Sequence, residues 1–395
     1  MAVAAAAVAR IETCIVSLPR DVPYLGPLGP GETINANGYF VRQGNRTVYP
    51  ATDMSVLVKA TAADGTVGWG ETYGIAAPGA TTEIIDDLLA PFVTGRRAAD
   101  AAAIWDDLYD LMRVRGGSGG YYGDALAGID IALHDLAARQ AGVSLCEFLG
   151  GTAPGPIPAY ASGLPKATLA ERVALAQEFA ARGFPAIKYA APVARDGVVA
   201  EMRALRAALG DDAKLMVDLH WKHTAAEAID LIAELAPSRP YFVEAPCAPE
   251  DVAGLAAVCA ATRVPVAAGE EWRNVHEARL RLERSGLAIV QPEIAHTGVS
   301  QFMAIARLAA AHGALVVPHA TVGVGIFLAA SLHATAALGA VPYHEYQHSV
   351  FDRNLQYVTA SMRCAAGFYH VGNDVGHGAA PRPELWRFLR PGPRR

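Results

Sequence analysis

Charge is scarce in this 395-residue chain: Asp, Glu, Lys and Arg make up 18% of it against 52% apolar residues, and the net charge is −6. No run of Lys and Arg interleaved with aromatics occurs, so the chain lacks the basic footprint that a phosphate backbone demands, and nucleic acid is excluded as a partner. Cysteine is also sparse. Cys14, Cys146, Cys247, Cys259 and Cys364 are odd in number and scattered, with no C-x-x-C pair, which excludes a zinc ribbon, a redox motif and a disulfide framework. Reduced thiols in a cytoplasm are the expectation. No apolar run is long and unbroken enough to suggest a membrane span: residues 313–341 are divided by Pro318, His319, Gly323 and Gly325, and read as a buried strand, a loop and a buried helix. The Ala-rich opening from Met1 to Arg10 has nothing basic before it and a strand-like Ile11–Leu18 after it, so it reads as a frayed terminus rather than a leader. A glycine fingerprint after a first strand is missing too, which argues against a dinucleotide-binding doubly wound sheet.

What the chain does have is regular alternation. From about residue 157, short β-branched runs alternate with amphipathic Ala/Leu/Glu/Arg segments: Ile157–Ala161, Ala186–Ala190, Leu215–Leu219, Tyr241–Val243, Val264–Ala267, Leu287–Val290, Leu315–Val317 and Pro342–Tyr346. A period of roughly 25–30 residues repeated eight times is the pattern of a (β/α)₇β TIM-like barrel, an α/β fold. Residues 1–150 differ. Strand-like Ile11–Leu18, Met54–Ala60 and Val67–Glu71 flank a Pro/Gly/Asn-rich stretch from Asp21 to Pro50, and helical patterning starts at Thr82. We therefore expect an N-terminal α+β unit over 1–150 placed before a barrel over 151–354, with 355–395 packing back on that unit. The 21–50 stretch is too long for a structureless connection and is expected to be functional or poorly ordered.

In such a barrel, chemistry gathers at the C-terminal ends of the strands, so polar residues that end an apolar run are the candidates. Three consecutive runs end in acids at equal spacing: Asp218, Glu244 and Glu270. Three like charges brought together are costly unless a hard cation lies among them, and an all-oxygen set suits one Mg²⁺. A single acid after a strand is usually a helix cap; three in register are much harder to explain that way. Glu271 adjoins Glu270, but strand alternation should turn the two in opposite directions. His319 ends the seventh run, and its imidazole titrates in the range that a general base needs.

Several segments together carry a resemblance: Ala125-Leu-Ala-Gly-Ile-Asp-Ile-Ala-Leu-His-Asp135, Ala186-Ile-Lys188, Val217-Asp218, Val243-Glu244-Ala-Pro246, Ala268-Gly-Glu270, Gln291-Pro-Glu293 and Val317-Pro-His319. In this order they resemble the enolase superfamily, in its mandelate racemase and sugar-acid dehydratase branch, over nearly the whole chain. The resemblance implies that Asp218, Glu244 and Glu270 bind Mg²⁺, and that His319 is the base. Glu293 would orient His319, although the commoner residue there is Asp and Glu is longer by a methylene. Asp218-Leu-His220 is similar to galactonate-type dehydratases, in which such a histidine protonates a departing hydroxyl. Lys188 would hold the substrate carboxylate or the enediolate, and Glu345 would hydrogen-bond that carboxylate. Where racemases of the branch carry a second lysine, this chain has Ala190. The first 150 residues would form an α+β capping domain, completed by the tail, whose loops near 21–50 and 71–80 close over the substrate of the catalytic barrel, with Arg46, Asn45 and Tyr49 as contact candidates, and the protein is expected to form a homo-oligomer.

The missing second base disfavours two-face proton exchange. The expected function is Mg²⁺-dependent dehydration of a small-molecule sugar acid, aldonate or aldarate, to a 2-keto-3-deoxy acid. The alternatives are a racemase, epimerase or cycloisomerase of a related acid, and a non-catalytic binding protein on the same fold.

Overall fold

The computed structural model describes residues 5–117 and 119–390. Of the N-terminal stretch read as frayed, Met1–Ala4 lie outside the described residues, and the first strand already begins at Val8. Val8–Leu18, Asp53–Ala62 and Val67–Tyr73 form an antiparallel sheet with the middle segment at its centre, in register at Ile15 and Val56 and at Val58 and Gly70. The sheet lies directly on the long helix Gly120–Ala141. Gly68 and Gly70 make that approach possible, since a Cβ at either position would stand 2.3 Å from the Ala132 oxygen or 2.1 Å from the Gly128 oxygen. Helix starts earlier than Thr82, at Pro78, whose fixed φ suits a first turn.

The long helix explains the Ala125–Asp135 motif physically, because it is buried through most of its length and its acids serve neighbouring segments. Asp130 accepts from the amide and hydroxyl of Ser300, re-capping the helix Ile294–Ala311 after its break at Gly298. Asp135 accepts from the Trp69 amide, the His377 amide and Arg139. The tail also contacts both sheets. Phe368–His370 pairs antiparallel with the strand Ile157–Ser162, while Leu389 bridges Val16 and Trp386 packs on Trp69.

Eight strands make up the parallel sheet: Ile157–Ser162, Ala186–Ala190, Lys214–Asp218, Phe242–Glu244, Val266–Ala268, Ile289–Val290, Leu315–Val316 and His344–Tyr346, with a helix between each pair. The first seven pair in chain order, and the eighth pairs with the first. Tyr160, Ala186, Met216, Phe242, Ala267, Ile289 and Val317 pack together in a fully buried layer, and six of these lie within successive strands while Val317 follows the seventh. The expected closed ladder is open at one seam. Among the described residues no ladder joins Leu315–Val316 to His344–Tyr346, and the Glu345 amide reaches across to the Pro318 oxygen. Pro318 can offer no amide in return.

The 21–50 stretch is not structureless. It contains the hairpin Tyr39–Arg42 and Thr47–Pro50, organised around the buried guanidinium of Arg42. Arg42 donates to Glu32 (2.8 Å) and to the carbonyls of Pro27 (2.9 Å), Tyr24 (2.5 Å) and Gly26. No described helix is long and apolar enough to cross a membrane, and residues 313–341 resolve into strand, loop and the helix Ile326–Leu338.

Candidate active site

Parallel pairing puts Ala190, Asp218 and Glu244 side by side at one end of the sheet. Glu270 follows two residues after its strand, beyond Gly269, whose φ of 127° ends the extended run. That turn corrects the expectation for Glu271: alternation stops at Ala268, and both Glu270 and Glu271 line the same cavity. The cavity, about 390 Å³, is lined by Lys188, Asp218, His220, Glu270, His319 and Glu345 from the strand ends and by Tyr24, Thr47, Val48 and Tyr49 from the hairpin region.

Each strand-end acid has a basic partner. Lys188 Nζ lies 2.7 Å from Glu244 and 3.2 Å from Glu345. His319 Nε2 lies 2.6 Å from Glu270 Oε2, and its Nδ1 lies 2.9 Å from Glu293 Oε2. The extra methylene of Glu293 is accommodated because its other oxygen turns back to cap the following helix at the Ala295 amide, 3.0 Å away. His220 is placed by a turn rather than by an extended strand. Its φ is 51°, its amide donates to Asp218 Oδ1 at 2.8 Å, and its ring Nδ1 lies 2.8 Å from Asp218 Oδ2. A left-handed histidine is uncommon, and here the Asp218 carboxylate holds it.

These contacts set the electrostatics. Burial alone would depress Lys188, but Glu244 and Glu345 outweigh it and hold the ammonium well above its usual range. His319 is likewise raised, burial being overcome by Glu270 and Glu345, and His220 is raised by Asp218 against burial. Glu270 goes the other way: burial would raise it, yet His319 brings it down. Glu244 is pushed up by burial and by Asp218, Glu270 and Glu345, in spite of Lys188.

Glu244, Glu270 and His319 bring their ligating atoms within 4.8 Å of one another. Asp218, opposite Glu244 in register, completes the acidic edge. The residues fit a hard divalent cation. Glu244 Oε1 and Glu270 Oε2 are buried and make no aligned hydrogen bond, the latter despite its short approach to His319, and crowded carboxylates with free lone pairs are the donors that Mg²⁺ takes.

The candidate cap contacts divide. Tyr49 lines the cavity, Asn45 donates to the Tyr49 hydroxyl at 3.0 Å, and Arg46 is exposed at the hairpin turn outside the lining. Sequence reading missed several lining residues. Tyr73 donates to Glu293 at 2.9 Å and shares a 2.6 Å hydrogen bond with Thr321, so the cap sheet reaches the carboxylate that holds His319. Ser162 donates to Glu345. Asp124, His296 and Arg273 form a further charged group in the lining. Only the Gln291-Pro-Glu293 motif hinted at the neighbourhood of His296.

The fold and this strand-end acid cluster define the class: an enzyme on a capped parallel α/β sheet, with residues that could hold a metal ion. The "Enolase C-terminal domain-like" family matches residues 171–385, and the "Mandelate racemase / muconate lactonizing enzyme, N-terminal domain" family matches 46–150. The chain belongs to the mandelate racemase branch of the enolase superfamily and resembles galactonate dehydratases. It is 35% identical to D-galactarolactone cycloisomerase of Agrobacterium fabrum over 72% of this chain and 75% of that protein. It is 32% identical to D-galactonate dehydratase of Ralstonia nicotianae, covering 73% and 76%. Among solved structures, an enolase-superfamily member from Agrobacterium tumefaciens superposes with a TM-score of 0.94 at 52% identity, covering 98% and 99%. A Streptomyces coelicolor racemase with bound magnesium superposes at 0.82 and 26% identity, covering 97% and 100%. These neighbours share an N-terminal cap and a C-terminal TIM-type barrel.

Proposed function

We propose that the protein dehydrates a sugar acid, aldonate or aldarate, to a 2-keto-3-deoxy acid with one Mg²⁺ per site. The observation that carries this reading is a pair of histidines in one cavity, each with a carboxylate beside Nδ1: Glu293 is hydrogen-bonded to His319 Nδ1 at 2.9 Å, and Asp218 lies 2.8 Å from His220 Nδ1 without an aligned hydrogen bond while it accepts from the His220 amide. The Glu293 bond fixes the His319 tautomer with Nε2 toward the strand-end acids, as acid–base work requires, and the bond from the His220 amide to Asp218 fixes where the His220 ring stands. Asp218, Glu244 and Glu270 would hold the metal, which when bound supplies positive charge to the substrate carboxylate. His319 takes the C2 proton, and Glu293 steadies the resulting imidazolium. Lys188 offers its ammonium to the enediolate oxygens, and Glu345, shared with Lys188 and Ser162, orients the carboxylate end. His220 then gives a proton to the C3 hydroxyl, which leaves as water, and the enol tautomerises to the keto acid. The cap over 1–150, with 355–395, and the sheet over 151–354 are proposed as the two units; the N-terminal family match ends at 150, while the C-terminal one runs from 171 to 385 and takes in most of the tail.

Cycloisomerisation is a second reading, favoured by the 35% identity to a cycloisomerase. Racemisation is disfavoured because racemases of the branch carry a second lysine where this chain has Ala190, which lines the cavity. A library of aldonic and aldaric acids and their lactones, incubated with Mg²⁺, separates the readings. Dehydration yields a keto acid lighter than its substrate by one water, cycloisomerisation yields an isomer, and a binding protein leaves the C2 proton unexchanged in D₂O.

A further inference from the structure

Three histidines line the cavity, and the chemistry above employs two of them. The third, His296, follows the sixth strand, three residues past Glu293. Its Nδ1 is hydrogen-bonded at 2.6 Å to Oδ1 of Asp124, which comes from the cap helix Gly120–Ala141. An ionised carboxylate only accepts, so Nδ1 carries a proton and Nε2 is the nitrogen left for chemistry. Among the described residues Nε2 makes no hydrogen bond. Asp124 keeps its charge: burial would raise it, but His296 and Arg273, whose Nε lies 3.3 Å from Oδ1, bring it down. Tyr73 fixes the ring from a second side, standing edge-on with centroids 4.2 Å apart while its hydroxyl donates to Glu293. His296 is thus held at Nδ1 as His319 is, and unlike His220, whose Nδ1 has no aligned bond.

Topology decides which side of the substrate this ring serves. The parallel strands run in chain order with the eighth paired to the first, so the sixth and seventh are neighbours, whereas the third lies across the cavity from the sixth. His296 and His319 therefore stand on one side and His220 on the other. With C1 at Lys188 and Glu345 and C2 at His319, the rest of the sugar chain has the space toward the cap, which is where His296 meets Asp124.

The proposed reaction leaves one proton unassigned. Loss of the C3 hydroxyl as water gives an enol, and ketonisation needs a proton at C3 after His220 has given up its own. We infer that His296 supplies this proton, a conclusion that rests on the dehydratase reading. The Nε2–H bond of the protonated ring breaks as the electron pair of the C2=C3 bond forms C3–H; the enol O–H releases its proton to solvent as C2=O forms, and His296 regains a proton from solvent. Because the hydroxyl departs toward His220 and the proton arrives from the side of His296, C3 undergoes inversion.

The test uses the Mg²⁺-loaded protein in D₂O with the member of the aldonic and aldaric acid library that turns over fastest. The keto acid is trapped by borohydride reduction as it forms, and the configuration of deuterium at C3 is read by NMR. The unaltered protein should place one deuterium at C3 with inversion. His296→Asn and the longer His296→Gln should give both C3 configurations in comparable amounts, because the enol then escapes and ketonises in solution. A change that merely distorted the site would slow turnover without scrambling the label. Retention at C3, or a mixed label from the unaltered protein, overturns the inference whether or not the variants fold. So does a folded variant that keeps a single configuration, which would assign the proton to His319. In each of these cases keto acid still forms and the dehydratase reading stands. Absence of keto acid from the whole library overturns that reading and the inference with it.

Discussion

The strand-end half of the cavity and its hairpin half are held by different forces. Asp218 and Glu244 stand together because parallel pairing puts them in register, and dozens of buried contacts in the sheet stand behind that register. Tyr24 and Tyr49 stand where they do because one buried guanidinium, Arg42, gathers the carbonyls of Tyr24, Gly26 and Pro27 and the carboxylate of Glu32. The first arrangement is distributed and tolerant of single changes. The second depends on one side chain, and its failure should be local: the chemistry would survive while substrate retention suffers.

The largest effect should come from metal removal. Exhaustive chelation is expected to abolish C2 exchange and product formation, and added Mg²⁺ to restore both, because nothing else in the cavity offers comparable charge to the substrate carboxylate. Activity that persists in metal-free protein would mean that the strand-end acids serve another purpose.

Arg42→Met tests the hairpin half. Losing the guanidinium leaves Glu32 with only the Gly29 and Gln43 amides and strands the carbonyls of Tyr24, Gly26 and Pro27, and the loosened hairpin should raise KM by about tenfold with kcat changed much less. A fall in kcat with KM unchanged would place the hairpin in the chemical step. Tyr73→Phe, which joins the two halves, should do the reverse. It removes a donor from the Glu293 carboxylate, and loss of a hydrogen bond to a charged group, about 1.5 kcal/mol, should lower kcat by roughly tenfold, with the His319 ring resonances shifted in the NMR spectrum. Unchanged kcat would show that Glu293 positions His319 without help from the cap.

The smallest effect concerns acid stability rather than the chemistry. Burial depresses His333 and His344 to about 4 each. A histidine whose folded pKa lies below the ordinary 6.5 binds fewer protons when folded, so stability is complete above about 6.5 and is lost as pH falls toward 4. His344 shares hydrogen bonds with Ser331 and the Glu345 carbonyl as a neutral ring. His344→Gln keeps a donor and an acceptor without titrating, and should flatten the fall in melting temperature between pH 7 and pH 5. An unaltered slope would mean that other groups govern acid sensitivity.

The two halves also differ in how far they can be read from sequence. Strand ends were legible because β periodicity and a regular repeat locate the last residue of each run to within one or two positions. Glu271 was misjudged, since alternation says nothing once Gly269 turns the chain. Hairpin and helix contributors were largely invisible: Arg42 acts through carbonyls that carry no residue identity, and Asp124 meets Arg273 across 149 residues of chain. Tyr73 falls in the 71–80 segment expected to close over the substrate, but nothing in its spacing pointed to Glu293, 220 residues on.

The central claim is that His319 removes the C2 proton and His220 acts only afterwards, and deuterium incorporation separates these steps directly. Substrate would be incubated in D₂O with Mg²⁺ and each of three proteins, then recovered and analysed at C2. His319→Asn should give neither labelled substrate nor keto acid. His220→Asn should form keto acid roughly 10²–10⁴-fold more slowly, the range for loss of a general acid, while the recovered substrate gains deuterium at C2. The unaltered protein should leave recovered substrate largely unlabelled. A His319 variant that still labels C2, or a His220 variant that dehydrates at the normal rate, would contradict the account.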